Sequence, residues 1–165
     1  MAETIETLSR AEFVDRFGGV YEHSPWVAEQ SFNTAANASP DELVRLFAQC
    51  VDAADRDTKL RLIRAHPDLA GRAAVRGELT VESNEEQSSA GIDQCTDEEY
   101  AQFVAFNSAY KEKFDFPFIM AVRNSNRHKI LAAFSKRIEN DAETEFETAI
   151  CEIHKIARLR IEAIS

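Results

Sequence analysis

The apolar positions of this chain recur at spacings of three and four residues over most of its length and almost nowhere alternate. Leu43, Leu46, Phe47 and Val51 form one such stripe, and Tyr100, Phe103, Tyr110 and Phe114 another. That spacing is the period of an α-helix burying one face. Start signals accompany the stripes. Ser9-x-x-Glu12 and Thr96-x-x-Glu99 are capping boxes, Ser39-Pro40-Asp41-Glu42 opens a helix, and Ser24-Pro25 puts proline at a first helical position. Residues from about Asp57 to Ala65 read as a helix with Leu60 and Ile63 inward. Ser83-x-x-Glu86 starts a short helix that Gly91 stops, and Ser125 starts the one carrying Ile130, Leu131 and Phe134. Asn140-x-x-Glu143 begins the last helix, which runs to about Ile164. Gly18-Gly19 closes the first helix, and Gly71 to Glu82, with Gly71 and Gly77 as turn points, reads as the longest loop. The expectation is one all-α domain over residues 1–165, a bundle of about eight helices.

Composition narrows the partners. At 165 residues with 44% apolar and 29% charged positions, the chain can bury a sizeable core. Its net charge of −10 argues against nucleic acid and against an anionic membrane surface. There is no apolar N-terminal leader and no run of transmembrane length, so the cytoplasm is the expected compartment. Cys50, Cys95 and Cys151 are widely spaced and read as reduced thiols, two of them on helices.

Candidate chemistry concentrates in a few places. His66 precedes Pro67, which pushes it out of helical geometry at a helix end, where it can project as an acid/base group or cap the last carbonyls. Asp68 reads as an N-cap for the turn Leu69-Ala70. Glu86 is either a general acid/base carboxylate or the third residue of a capping box that reaches back to Ser83. At about 100° per residue, Arg160 falls roughly 20° from the centre of the last helix's apolar stripe and Arg158 roughly 140° from it. A guanidinium so placed is either paired, facing a polar pocket, or snorkelling from an exposed helix end. Asn107 interrupts the stripe between Phe103 and Tyr110 as a core hydrogen-bonder. The strip from Phe114 to Ile119, barred from regular helix by Pro117, is a pocket wall or core filling. His23, His66, His128 and His154 have no metal-ligand spacing, and no phosphate loop or serine-nucleophile elbow occurs.

Six pieces in order carry a family resemblance that spans nearly the whole chain. They are Glu22-His23-Ser24-Pro25-Trp26; His66-Pro67-Asp68-Leu69-Ala70-Gly71; Ser83-x-x-Glu86-Gln87-x-x-Ala90-Gly91; Asn107-x-x-Tyr110; Lys113-Phe114-x-Phe116-Pro117-Phe118-Ile119; and Lys155-Ile156-Ala157-x-x-Arg160-Ile161. Together they resemble the 2-oxo-4-hydroxy-4-carboxy-5-ureidoimidazoline (OHCU) decarboxylases, which release CO2 and (S)-allantoin at the end of urate breakdown. The resemblance implies an all-α fold, a homodimer, a small-molecule ureidoimidazoline substrate, and neither cofactor nor metal. It implies His66 as the acid/base and Glu86 as its carboxylate partner. It also implies a substrate pocket lined by Pro67, Ser83, Asn84, Glu85, Gln87, Arg160 and the backbone of Phe118, Ile119, Met120, Ala121 and Val122. Asp115 and Asn124 stand where many relatives have glycine. Both residue types tolerate positive φ, so the backbone path is expected to survive. A rival reading takes His66-Pro67-Asp68 as the loop of a J-domain-like interaction module. Against it, Leu-Ala-Gly follows the motif and the acidic chain extends almost a hundred residues beyond.

Overall fold

The computed structural model describes residues 8–70 and 79–164. Among them are eight α-helices, one 3-10 turn and no strand, as the helical spacing predicts. The helices are α1 (Arg10–Phe17), α2 (Trp26–Ala35), α3 (Pro40–Asp52), α4 (Arg56–Arg64), α5 (Val81–Ser89), α6 (Asp97–Phe114), α7 (Arg127–Arg137) and α8 (Ala142–Ile164), with the 3-10 turn at Ile92–Gln94 before α6. Reciprocal capping boxes start α1 at Ser9, α3 at Ser39 and α6 at Thr96, each satisfying two backbone N–H groups that a helix start leaves without partners.

Four starts differ from the sequence expectation. Pro25 is the N-cap of α2 rather than its first helical residue, and the Asn126 side chain, not Ser125, caps α7, whereas α4 starts within a residue of its expected place, capped by the Asp55 carboxylate through the Thr58 N–H. Asp141, not Asn140, receives the Thr144 N–H at 2.8 Å at the head of α8, and Asn140 instead donates to Glu145. Thr80, not Ser83, caps α5 and accepts from the Ser83 N–H at 3.2 Å. The predicted loop therefore gives way to helix at Val81, while Gly71 and Gly77 lie outside the described residues. Tyr100, predicted inward, is exposed, and Leu60 is half-buried, with Leu62 and Ile63 taking the inward face of α4.

The chain forms two compact units. One comprises residues 1–65 with 154–165, the other residues 66–153. In the first, Phe13 and Phe47 meet edge to face at 6.0 Å between ring centroids, Tyr21 meets Phe47 at 6.4 Å, and Leu43, Val51 and Ile63 of the same unit are buried. In the second, Phe118 stacks on Phe134 at 3.7 Å and Tyr110 sets its edge against Phe118 at 5.4 Å. The strip Phe114–Ile119 thus fills this core. Gly91 follows α5 in the left-handed region at φ 73°, which supplies the helix stop predicted for it. Asp115 and Asn124 also adopt positive φ, 62° and 66°, so both occupy backbone positions suited to glycine, as expected.

A buried charged network in the second unit has no counterpart in the sequence reading. Glu145, fully buried, accepts from Tyr110 Oη, from Asn140 Nδ2 at 2.9 Å and from Arg137 Nη2 at 2.8 Å. Arg137 turns its other terminal nitrogen to the Ile119 carbonyl at 2.6 Å and lies over the Phe118 ring. Burial pushes the Glu145 pKa up, but the hydrogen bonds from Arg137, Tyr110 and Asn140 outweigh it and hold the carboxyl below the usual range. Burial, then the bond to Glu145, pushes the Tyr110 phenol far above its ordinary value.

Candidate active site

α5 has its polarity reversed. Its buried residues are Ser83, Glu86 and Gln87, with Ala90 just beyond its end, so the stripe at helical spacing that faces the interior is polar. Its one large apolar side chain, Val81, is 70% exposed. A surface helix ordinarily does the opposite. Because Thr80 caps this helix, Glu86 has no capping task; it sits in mid-helix with 8% exposure. The capping-box alternative for Glu86 is therefore overturned. Burying a carboxylate needs polar partners, which makes this stripe the strongest site signal in the chain.

His66 lies just beyond α4, outside the helix and also 8% exposed. The segment that follows it is tied to the α5 stripe. Gln87 Oε1 accepts the Ala70 N–H at 3.1 Å, and Gln87 Nε2 donates to the Asp68 carbonyl at 3.4 Å. From α6, Asn107 Nδ2 donates to the Leu69 carbonyl at 2.9 Å. The Asp68 carboxylate pairs with Lys111 Nζ at 2.6 Å, and the Ala70 N–H goes to Gln87 rather than to it. The second unit thus brings His66, Pro67, Ser83, Glu86 and Gln87 onto two neighbouring segments, which the Gln87 side chain joins through the backbone of Asp68 and Ala70.

The remaining predicted residues sort differently. Asn84 and Glu85 lie on the exposed side of α5. Asn84 also lines a cavity of about 310 Å³ together with Ala70, Gln87, Ser88, Cys95 and Tyr100. Phe118, Ile119 and Val122 are buried, and Met120 and Ala121 are half-buried. Among these the Ile119 carbonyl is already engaged by Arg137. Arg160 belongs to the first unit. There it is 3% exposed, donating to Glu22 Oε2 at 2.9 Å and to the Gly19 carbonyl at 3.1 Å, so it does not snorkel. Arg158, on the opposite face, is 52% exposed, with Asp41 at 3.9 Å and Glu162 at 3.8 Å as its acidic neighbours. Glu22, 1% exposed, opens the first of the six family pieces but has no role assigned to it in the sequence, since nothing local ties it to a residue 138 positions away.

No cluster of three or more His, Cys, Asp or Glu able to hold a metal ion occurs among the described residues. All three cysteines are free thiols. No helix among the described residues is long and apolar enough to cross a membrane.

Comparison with known proteins agrees with the residue pattern. A family profile described as OHCU decarboxylase matches residues 6–162. The chain is 42% identical to the 2-oxo-4-hydroxy-4-carboxy-5-ureidoimidazoline decarboxylase of Haloferax volcanii, over 96% of this chain and 92% of that protein. It is 35% identical to the uric acid degradation bifunctional protein of Bacillus subtilis, covering 98% of this chain and 32% of that longer one. Among solved structures it superposes on an (S)-allantoin synthase with a TM-score of 0.76 at 32% identity, over 97% of this chain and 52% of the other. These matches run through both units and leave the J-domain-like reading without support.

Proposed function

The chain belongs to the OHCU decarboxylase family, and from that membership we propose how its residues carry out the family's reaction, the decarboxylation of 2-oxo-4-hydroxy-4-carboxy-5-ureidoimidazoline to (S)-allantoin and CO2 in urate degradation. The single observation that carries the site assignment is the inward-facing polar stripe of α5, with Glu86 buried and relieved of any capping role.

The chemistry asks little of the protein beyond proton placement. The departing carboxylate sits on a carbon beside a C=N bond. When the carbon–carboxylate bond breaks, its electron pair flows into that imine, so the substrate is its own electron sink. CO2 leaves and a proton is added to the ring on one face, which sets the handedness of the product. His66 is the group that holds and moves this proton, a role worth roughly 10²–10⁴-fold. Glu86 fixes its orientation and stabilises the imidazolium. Ser83 and the segment 118–122 complete the wall. The ties from Gln87 to the backbone of Asp68 and Ala70 support this reading, because they hold the His66 segment to the helix that carries Glu86.

Glu86→Gln tests the assignment. It keeps size and hydrogen-bonding capacity but removes the charge, so kcat should fall by at least about tenfold with normal folding. Full activity in that variant would return Glu86 to a structural role. We also propose a homodimer in the cytoplasm. The free thiols fit a reducing compartment, and light scattering at twice the chain mass is the expected result; a monomer at micromolar concentration would refute the dimer.

A further inference from the structure

Three consecutive residues after Pro67 are held by side chains from two helices. Asp68 offers its carboxylate to Lys111 at 2.6 Å and its carbonyl to Gln87 at 3.4 Å. The Leu69 carbonyl accepts from Asn107 at 2.9 Å, and the Ala70 N–H donates to Gln87 at 3.1 Å. The segment they hold is strained: Ala70, an alanine, sits at φ 53° in the left-handed region and is only 4% exposed. Backbone strain of this kind persists only where surrounding structure over-determines it.

Asn107 is the telling member. Its side chain is 94% buried by its 6% exposure, and among the described residues its Oδ1 has no hydrogen-bond partner. Burying an amide with one end unsatisfied is unfavourable, and no apolar packing role needs an amide there. The single described bond it makes runs to the Leu69 carbonyl, on the segment behind His66.

We propose that Asn107, with Lys111 one turn further along α6, is a positioning residue that holds the 68–70 backbone in its left-handed turn and thereby places His66. The proposal rests on His66 being the acid/base group. Neither side chain acts on substrate; both act through the backbone. A polar group on α6 thus sets the rate without contributing to binding.

The test replaces Asn107 with leucine, of like shape but unable to donate, and follows the Ala70 amide by hydrogen exchange in the full chain. Exchange should quicken by about tenfold or more as the clamp opens. With the histidine misplaced, kcat should drop between about ten- and a hundredfold while KM stays within about twofold. A second change, Ala70→Gly in the Asn107→Leu background, should recover part of the lost kcat, since glycine adopts the turn without strain. Should Asn107→Leu fail to fold, Lys111→Met on the half-exposed side of α6 serves instead, with faster Ala70 exchange and a smaller loss of kcat expected. An unchanged kcat per folded molecule, or a lowered kcat with Ala70 exchange untouched, would overturn the proposal; so would the absence of glycine rescue. His66→Ala run in parallel separates the two failures. If that variant keeps full activity the acid/base reading falls, whereas the exchange result still decides whether Asn107 clamps the turn.

Discussion

Arg160 and Arg158 lie two positions apart on α8, yet they should behave very differently when removed. Arg160 is 3% exposed and its partner Glu22 1% exposed, with 2.9 Å between Nη2 and Oε2. At an effective dielectric of about 20, unit charges about 4 Å apart attract by about 4 kcal/mol. Breaking such a buried pair from one side leaves the other charge desolvated, at a cost of about 3–5 kcal/mol. For a chain of this size each kcal/mol lowers Tm by about 2–4 °C, so Arg160→Ala should lose roughly 6–20 °C. His23 lies 3.9 Å from Glu22 on an exposed ring. Arg158 is 52% exposed and 3.8 Å from Glu162. Its replacement by alanine should change stability by no more than about 0.5 kcal/mol. Thermal unfolding followed by far-UV circular dichroism measures both. The double variant Glu22→Gln with Arg160→Met, which removes both charges, should melt higher than Arg160→Ala. Equal losses at 158 and 160, or a double variant no better than the single, would refute the assignment of a buried ion pair.

Other outcomes follow from the same physics. Glu145 is held below the ordinary glutamate value of 4.5 chiefly because hydrogen bonds from Arg137, Tyr110 and Asn140 outweigh its burial. A depressed carboxylate stabilises the fold above its unfolded pKa and loses that contribution as pH falls through the folded value. The caps Glu12, Asp55, Glu99 and Asp141 are lowered chiefly by backbone hydrogen bonds and act in the same direction. Urea midpoints should therefore decline as pH drops from about 5 to 3, and a flat profile would contradict this. Because the substrate accepts its own electron pair, dialysis against a strong chelator should leave the decarboxylation rate unchanged. A loss that added divalent metal restores would show otherwise.

The helices were legible because local chemistry and global packing agree at Ser9, Ser39 and Thr96, where capping boxes precede stripes at helical spacing. The start of α5 was misread for a physical reason. Thr80 and Ser83 are both hydroxyls three residues ahead of a helical N–H, and Ser83-x-x-Glu86 mimics a box. Only tertiary burial shows that the carboxylate faces inward instead. Arg160 could be placed on the inner face by periodicity alone. Its partner Glu22 could not, since their meeting depends on chain reversal across 138 residues. Glu145 was hidden differently: an acid in the first turn of a helix suits the macrodipole and gives no hint of full burial.

The central claim is tested most directly by the chirality of the product. Oxidising urate enzymatically in the cuvette supplies the unstable ureidoimidazoline, and circular dichroism follows allantoin as it forms. This chain should accelerate the appearance of (S)-allantoin in proportion to its concentration. Folded His66→Ala should be slower by at least about 10²-fold. Racemic allantoin formed no faster than without the protein would contradict the activity, and near-normal (S)-allantoin production by His66→Ala would contradict the site.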